Sequence, residues 1–188
     1  VYSDPAMYWL DTDWTMSVWA FIETTDLGEI ATYPRIFASF YANSPFNGTF
    51  FAFGYRNDTS KLYLYHHWGT GPNDYDQYYS TMSITKGSFK HFHISHVLDG
   101  HKVIWGTDGD QEEFTLLHTT YGNSVVAGIT MGGAVDFSSL GDVVFNNLST
   151  SMTGSIAELI IVDALCFGQE ATYPIPTDYV PYCWSVGP

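Results

Sequence analysis

The stretch KHFHISHVLDGHKVIWGTDGDQEEFTLL, residues 90–117, decides the fold because it holds three strand-like segments separated by two Asp-Gly turns. From His91 to His96 the side chains alternate with a period of two, which predicts a strand with one mostly apolar face and one polar face. Asp99-Gly100 and Asp108-Gly109 are residue pairs that take a positive φ readily, as tight hairpin turns require. The stretch therefore predicts a three-stranded antiparallel meander.

The remainder of the chain repeats this pattern. Short segments rich in Val, Ile, Thr, Tyr, Phe and Trp recur between clusters of Gly, Asn, Asp and Pro, and long apolar segments with a helical period are absent. The number and spacing of the segments predict an all-β fold of two packed antiparallel sheets. The last segment is apolar on both faces in its second half, so we expect it at a sheet centre. The predicted strands are Thr15–Glu23, Arg35–Tyr41, Thr49–Tyr55, Lys61–Trp68, Tyr78–Ile84, Lys90–Leu98, His101–Thr107, Gln111–Leu117, Val125–Met131 and Gly154–Asp163.

Composition limits the class of protein and its partners. A chain of 188 residues fits one domain, and 45% hydrophobic with 18% aromatic residues supplies a packed core. Twenty acidic against six basic side chains give a formal charge of -14, which repels nucleic acid and anionic lipid. No apolar stretch has the length of a bilayer span.

The C-terminal end differs from the rest. Residues 1–165 form the predicted sandwich, whereas residues 166–188 contain four of the eight prolines, which predicts an extended tail that packs on the domain or on a neighbour. A disulfide between Cys166 and Cys183 would join this tail to the domain, and two buried free thiols are equally compatible with the sequence.

Three sequons favour a secreted glycoprotein. They begin at Asn47, Asn57 and Asn147, each followed two residues later by Thr or Ser. Because short motifs of this kind often arise by chance, one sequon alone is weak evidence. The prediction of an extracellular or particle-surface location therefore rests on the three sequons together.

The order of these motifs resembles the laminin-G-like and pentraxin-like branch of the concanavalin A-like lectin/glucanase superfamily. An aromatic opening strand, a short second strand, an aromatic hairpin, a central hairpin and a closing Gly-to-Leu strand follow in the family's order, although Phe89 stands where a Trp is usual. The resemblance implies a concanavalin-like jelly-roll sandwich, and it supports a prediction of the fold more strongly than a prediction of the function. The segments that carry it are Trp14–Ile22, Arg35–Ser39, Gly54–Tyr65, Lys86–Gly100 and Gly154–Leu165.

The sequence predicts no catalytic residues. A glycosidase on this fold needs two carboxylates held across a sugar, and the glucanase branch carries alternating acids on one strand. Glu112 and Glu113 are adjacent and would point to opposite faces, and Glu158 has no acidic neighbour two or four residues away. Lyases on the fold use Arg-rich strands, and this chain has Arg35 and Arg56 alone. We therefore predict a non-enzymatic protein.

Calcium is the cofactor that the resemblance implies, because relatives hold it at the sandwich rim with Asp, Asn and backbone oxygens. The densest oxygen-rich cluster is Asn73, Asp74 and Asp76, and Asp108 with Asp110 comes next. The alternative is that these side chains cap ordinary turns. His91 and His93 project from the same strand face, and His66-His67 could lie near them, which raises the alternative of a zinc site. Zinc is disfavoured because it needs three or four ligands and the sequence fixes no third one, so we expect a partly buried, hydrogen-bonded histidine pair.

The best sequence candidate for a glycan-binding surface surrounds the Asn73-Asp74 loop. Sugars are bound by flat aromatic rings with polar groups at the edges, and Trp68, Tyr75, Tyr78 and Tyr79 supply the rings. The alternative role for these side chains is ordinary packing within strands.

The leading functional hypothesis is a recognition or adhesion module that binds glycan or protein through rim loops. The alternative is a structural subunit of a glycosylated extracellular filament, appendage or viral particle, joined to copies of itself through the tail. A carbohydrate-active enzyme is a third, weaker hypothesis.

Overall fold

Antiparallel strands make up the regular structure of the chain in a computed structural model, which describes residues 10–24, 33–41, 49–69, 73–119, 126–131, 136–139, 142–144, 152 and 154–176. Within these ranges no residue is in an α-helix, and no helix there could cross a membrane. The strands in chain order are β1 (Trp14–Ile22), β2 (Arg35–Tyr41), β3 (Thr49–Arg56), β4 (Lys61–His67), β5 (Tyr75–Ser83), β6 (Phe89–Val97), β7 (Lys102–Thr107), β8 (Asp110–Thr115), β9 (Val126–Met131), β10 (Asp136–Ser139), β11 (Asp142–Val144) and β12 (Gly154–Val162).

The strands form two five-stranded sheets that pack face to face. The first sheet has the order β12-β1-β6-β7-β8 and the second β5-β4-β3-β2-β9, while β10 and β11 pair with each other. Inward side chains of both sheets, among them Trp14, Phe37, Phe53 and Trp105, make one hydrophobic core. The ring centroids of Phe53 and Trp105 lie 6.4 Å apart and join the two sheets. The predicted two-sheet antiparallel jelly-roll sandwich is confirmed.

Strand β6 shows the alternation expected from its sequence. Phe92 and Ile94 belong to the core, whereas His91 and His93 lie on the other face. That polar face is also buried, with both histidine side chains 0% exposed. A further part of the chain therefore covers the outside of the first sheet.

The cover is a segment after β12 that we call the strap, residues 166–176. Phe167 and Tyr173 of the strap pack on His93 with ring centroids 4.3 and 4.4 Å away. The N–H of Gln111 donates to the carbonyl of Ala171 at 3.0 Å, so the strap also pairs along the edge of β8. The described part of the C-terminal tail thus packs on its own domain.

Two strand bounds differ from the sequence prediction in a way that matters for function. β5 begins at Tyr75 rather than Tyr78, because its pairing with β4 extends to the pair His67 and Tyr75. Tyr75, Asp76 and Gln77 are therefore strand residues and not part of a surface loop. β10 and β11 fall within residues 132–153, where no strand was predicted, since strands of four and three residues are too short to show a period.

The closing strand β12 lies at the edge of the described sheet, beside β1, and not at its centre. The prediction of a central strand, which was made from the apolar sequence, was therefore wrong. Ile160 and Ile161 are only half-buried at this edge. The pairing shifts between Ser17 and Trp19 of β1, where Glu158 takes a φ of 56°. A β-bulge of this kind interrupts an edge and hinders pairing with another chain.

The Asp-Gly turns form as predicted. Asp108 and Gly109 have φ values of 57° and 97° and join β7 to β8 in a two-residue hairpin. Asp99-Gly100 lies in a 3₁₀ turn in which Gly100 has a φ of 75°. Both turns therefore depend on residues that accept a left-handed backbone.

Candidate binding surface

The outer face of the second sheet carries a group of aromatic rings that pack against one another. We call it the tyrosine surface and define it by Tyr33, Tyr63, Tyr65, Tyr75 and Tyr79. Ring centroids are 4.9 Å apart for Tyr33 and Tyr63, 5.7 Å for Tyr63 and Tyr79, and 5.1 Å for Tyr65 and Tyr75. Rings at these separations stabilise one another beyond the area that they bury.

The pleat of β4 and β5 produces this surface. Leu62 and Leu64 of β4 enter the core, so Tyr63 and Tyr65 project outward. Tyr63 pairs with Tyr79 across the strands, and Tyr75 lies four residues earlier on β5 on the same face. The buried rings of β4 therefore support the more exposed rings of β5.

An arginine lies against the rings. The guanidinium carbon of Arg56 is 5.7 Å from the ring centre of Tyr33 and 5.6 Å from that of Tyr79. Asp58 holds the guanidinium there, since Nε donates to Oδ1 at 2.7 Å and Nη2 to Oδ2 at 2.9 Å. Arg56 is thus fixed in one orientation beside Tyr79.

The phenols of Tyr65 and Tyr79 are neutral at physiological pH. Burial raises the pKa of Tyr65 to about 12, and nearby Arg35 acts in the opposite direction. Burial also raises the pKa of Tyr79 to about 12, with a further contribution from its hydrogen bond to Tyr33. Tyr65 and Tyr79 therefore carry neutral hydroxyl groups that can donate or accept hydrogen bonds.

The four aromatic residues predicted from the sequence lie on two different sides of the sheet. Tyr75 and Tyr79 are on the tyrosine surface and are each 39% exposed. Tyr78 stacks on Phe114 with centroids 4.6 Å apart, and Trp68 stacks on His118 at 4.0 Å. The structure therefore brings together two of the four, and the other two pack elsewhere.

Sequence reasoning missed Tyr63, Tyr65 and Arg56. The signal was present in residues 61–67, KLYLYHH, where Leu and Tyr alternate. That alternation predicts one apolar inner face and one aromatic outer face. It gives no information on which strand lies beside β4, so the partner rings of β5 could not be assigned.

The residues predicted to bind calcium lie in the turn before β5 and in β5 itself. Asn73 is exposed in a turn, and the main-chain oxygen of Asp74 accepts hydrogen bonds from the N–H groups of Trp68 at 2.9 Å and Gly69 at 3.2 Å. Asp76 Oδ2 lies 2.8 Å from His118 Nδ1. In the described ranges no group of three or more His, Cys, Asp or Glu side chains is placed to hold a metal ion. The calcium site stays a prediction.

The second acidic pair, Asp108 and Asp110, has other contacts. Asp108 pairs with Lys90, and Asp110 forms a β-bridge with Thr172 of the strap. Asp108 thus has an ion-pair partner, Asp110 contacts the strap through its backbone, and calcium at this pair stays a prediction.

The histidines considered for zinc occupy separate faces. His91 and His93 lie beneath the strap on the first sheet, whereas His66 faces Phe51 in the interior of the second. Burial lowers the pKa of His91 and of His66 to about 4. Burial, and then the neighbouring His91, lower the pKa of His93 well below its usual value. All three are neutral, hydrogen-bonding or packing side chains at physiological pH.

Two predicted modifications are partly within the described residues. Asn57 lies in the β3–β4 turn, where its Oδ1 accepts a hydrogen bond from Lys86 Nζ at 2.5 Å, whereas Asn47 and Asn147 lie outside the described residues. Cys166 follows β12 and its N–H donates to Thr15 Oγ1 at 3.0 Å, but Cys183 also lies outside them. Cys166 is disulfide-bonded, which agrees with the prediction that it is not a free thiol, while its pairing with Cys183 and the glycosylation stay predictions.

Comparison with known proteins identifies the fold. No protein-family model and no curated protein matches the sequence. Among solved structures, the CBM40 of Ruminococcus gnavus IT-sialidase matches with a TM-score of 0.59 at 9% identity over 81% of this chain and 76% of that one. Mouse laminin alpha1 domains LG4-5 give 0.55 at 9% identity over 86% and 38%. The SAP-like pentraxin of Limulus polyphemus gives 0.50 at 12% identity over 80% and 63%. The chain therefore has the concanavalin-like lectin/glucanase fold, as its motifs predicted.

Proposed function

We propose that this chain is a non-enzymatic extracellular recognition module that binds glycans through the tyrosine surface. The observation that carries the proposal is the pair Tyr75 and Tyr79, which share one face of β5 and are each 39% exposed. Tyr79 lies four residue steps along the strand from Tyr75, a distance of about 13 Å. That length suits an oligosaccharide that contacts both rings.

The chemistry of the surface supports this ligand class. Aromatic rings pack against the apolar faces of sugars, and polar groups at the ring edges bind the hydroxyl groups. Gln77 lies between Tyr75 and Tyr79 on the same face, and its Oε1 accepts a hydrogen bond from Tyr79 Oη at 2.9 Å. A structural relative, the Ruminococcus gnavus CBM40, has been solved bound to alpha2,3 sialyllactose, and this lends the proposal further support.

A non-catalytic role is supported by the placement of the carboxylates of β8. Glu112 accepts hydrogen bonds from Trp105 Nε1 at 2.9 Å and from the N–H of Thr81, so it has a structural role between the sheets. Glu113 pairs with Lys102 at 2.9 Å. The two groups thus serve different contacts, and neither belongs to the tyrosine surface.

A glycan array tests the proposal. The double variant Tyr75→Ala/Tyr79→Ala should lose binding to every glycan that the natural chain binds, while its circular dichroism spectrum stays unchanged. Phe89→Ala is the matched control, because Phe89 is an exposed aromatic residue, 50% accessible, on the first sheet. Equal loss of binding in the control, or full binding in the double variant, contradicts the assignment of the surface.

A second candidate function, a subunit of an assembly, is favoured by one observation on β12. This strand stands at the edge of the described sheet, and although the bulge at Glu158 interrupts it, the segment beyond the bulge with half-buried Ile160 and Ile161 can still pair with another chain. Sedimentation over a range of protein concentrations tests it. A monomer at all concentrations contradicts the assembly and leaves the glycan proposal standing.

The calcium ion remains part of the proposal at Asn73, Asp74 and Asp76. Repeating the glycan array in the presence of a chelator tests it, since loss of binding that added calcium restores is the expected result. Unchanged binding in the presence of chelator would mean that glycan recognition does not require calcium.

A further inference from the structure

We infer that the glycan bound at the tyrosine surface is acidic and that its negative group is bound at Arg56. The inference rests on the proposed function, because it names the class of glycan that the same surface binds.

The charge distribution between the two sheets motivates the inference. The described strands of the second sheet contain three basic residues, Arg35, Arg56 and Lys61, and one acidic residue, Asp76, and the β3–β4 turn adds Asp58, which pairs with Arg56, so basic residues still outnumber acidic ones there. The chain as a whole has the opposite balance, six basic against twenty acidic residues. The first sheet has the same excess of acidic residues as the whole chain. Its strands contain two basic residues, Lys90 and Lys102, and four acidic residues, Asp110, Glu112, Glu113 and Glu158.

The basic residues of the second sheet also share one face. Arg35 pairs with Gly54, Gly54 with Tyr63 and Tyr63 with Tyr79, so these residues form a row across four strands. Arg56 and Lys61 pair with each other one step along the same face. The acidic Asp76 lies on the other face of β5, where its carboxylate accepts a hydrogen bond from Tyr78 Oη at 3.2 Å.

Arg56 is the basic group best placed to touch a ligand. Its side chain is 33% exposed and lies against the ring of Tyr79, which is itself 39% exposed. Lys61 is held differently, because its Nζ donates to the carbonyl oxygens of Ser80 at 3.1 Å and Thr81 at 2.7 Å. Lys61 therefore contributes charge to the surface, whereas Arg56 offers a positioned guanidinium.

A sugar ring stacked on Tyr79 would bring a carboxylate or sulfate at its edge next to this guanidinium. Charge-assisted hydrogen bonds between a guanidinium and an oxyanion are stronger than those between neutral groups. Asp58 fixes the guanidinium in advance, which lowers the cost of ordering it when the ligand binds. The acidic remainder of the chain repels such a ligand from other surfaces.

The test uses pairs of oligosaccharides that share a backbone and differ by one carboxylate or sulfate. We expect the natural chain to bind the acidic member about tenfold more tightly, and Arg56→Gln to abolish that difference. Lys102→Gln removes one positive charge from the first sheet and is the matched control. The preference should also weaken as the salt concentration rises.

The outcomes separate this inference from the proposed function. If the natural chain binds both members with equal affinity and Tyr75→Ala/Tyr79→Ala binds neither, the inference of an acidic ligand is overturned. Glycan binding at the tyrosine surface is then retained. A preference for the acidic member that survives in Arg56→Gln overturns the role of Arg56. Absence of binding to any oligosaccharide overturns the proposed function and the inference together.

Discussion

Tyr173 Oη lies 2.9 Å from Nδ1 of His91, so the strap is hydrogen-bonded to a buried histidine 82 residues earlier in the chain. The other ring nitrogen of that histidine, Nε2, lies 2.7 Å from Ser17 Oγ on β1. His91 thus connects the opening strand, the central strand and the strap. This contact covers the part of the outer face of the first sheet around His91 and His93, whereas the outer face of the second sheet presents the tyrosine surface.

Tyr173→Phe should weaken the strap without changing its shape. The variant keeps the ring on His93 and removes the hydroxyl, so a buried imidazole nitrogen loses its partner. We expect the free energy of unfolding to fall by about 1 kcal/mol in urea titrations. Limited proteolysis should also cut within residues 166–176 more readily. Tyr75→Phe is the control, since its ring is partly exposed, and an equal loss there would contradict the anchoring role of Tyr173.

Acid should destabilise the chain through its buried histidines. Burial lowers the pKa of His91 to about 4, whereas an unfolded histidine has a pKa of about 6.5. The unfolded state therefore binds more protons between pH 6.5 and 4, so the histidine's contribution is complete above pH 6.5 and is lost as the pH falls. Each such histidine contributes about 1.4 kcal/mol per pH unit in that window.

The measurement is the free energy of unfolding at pH 7, 6 and 5 for the natural chain and for His91→Gln. Glutamine retains hydrogen-bonding capacity towards Ser17 and Tyr173 but does not titrate. A smaller decrease between pH 7 and 5 in the variant is the expected result. Parallel decreases in both proteins would show that His91 does not carry the effect.

The sequence predicted the sandwich well because ten of the twelve described strands, all except the short β10 and β11, have a local signature of their own. Alternation in β6 and the turns at Gly100 and Gly109 are properties of neighbouring residues, so no long-range information was needed. The face of the sheet on which each side chain lies was harder to predict, because a shift of one residue in the strand register moves a side chain to the opposite face. Tyr78 and Tyr79 are adjacent in sequence and lie on opposite sides of β5.

The prolines after Cys166 predicted a tail that packs on the domain or on a neighbour, but not the residues that it contacts. The strap covers His93 with Phe167 and Tyr173, and nothing in the sequence near the histidine indicates this cover. The edge position of β12 is a similar case, since its apolar residues suggested a central strand. Which strand neighbours another is a property of topology, and hydrophobic pattern alone does not specify it.

Glu112→Ala should destabilise the contact between the two sheets. Glu112 accepts hydrogen bonds from Trp105 Nε1 and from both the N–H and the hydroxyl of Thr81 on β5. Trp105 is 1% exposed, so its indole N–H would be buried without an acceptor, at a cost of about 1–3 kcal/mol in the free energy of unfolding. The neighbouring Glu113→Ala removes a surface ion pair with Lys102 and should cost less than about 1 kcal/mol. Equal losses in thermal or urea unfolding would contradict the bridging role of Glu112.

Glu158→Gly should stabilise the chain, although it replaces a strand residue with glycine. Glu158 has a φ of 56° at the bulge of β12, a backbone conformation that costs a residue with a side chain about 1–3 kcal/mol and glycine very little. Ser155→Gly on the same strand is the matched control. Ser155 pairs regularly with Phe21, so glycine there should lower the free energy of unfolding by about 0.5–1 kcal/mol. Opposite signs for the two variants in urea titrations would establish the bulge as a strained position, whereas a loss in both would mean that Glu158 contributes contacts that outweigh its backbone strain.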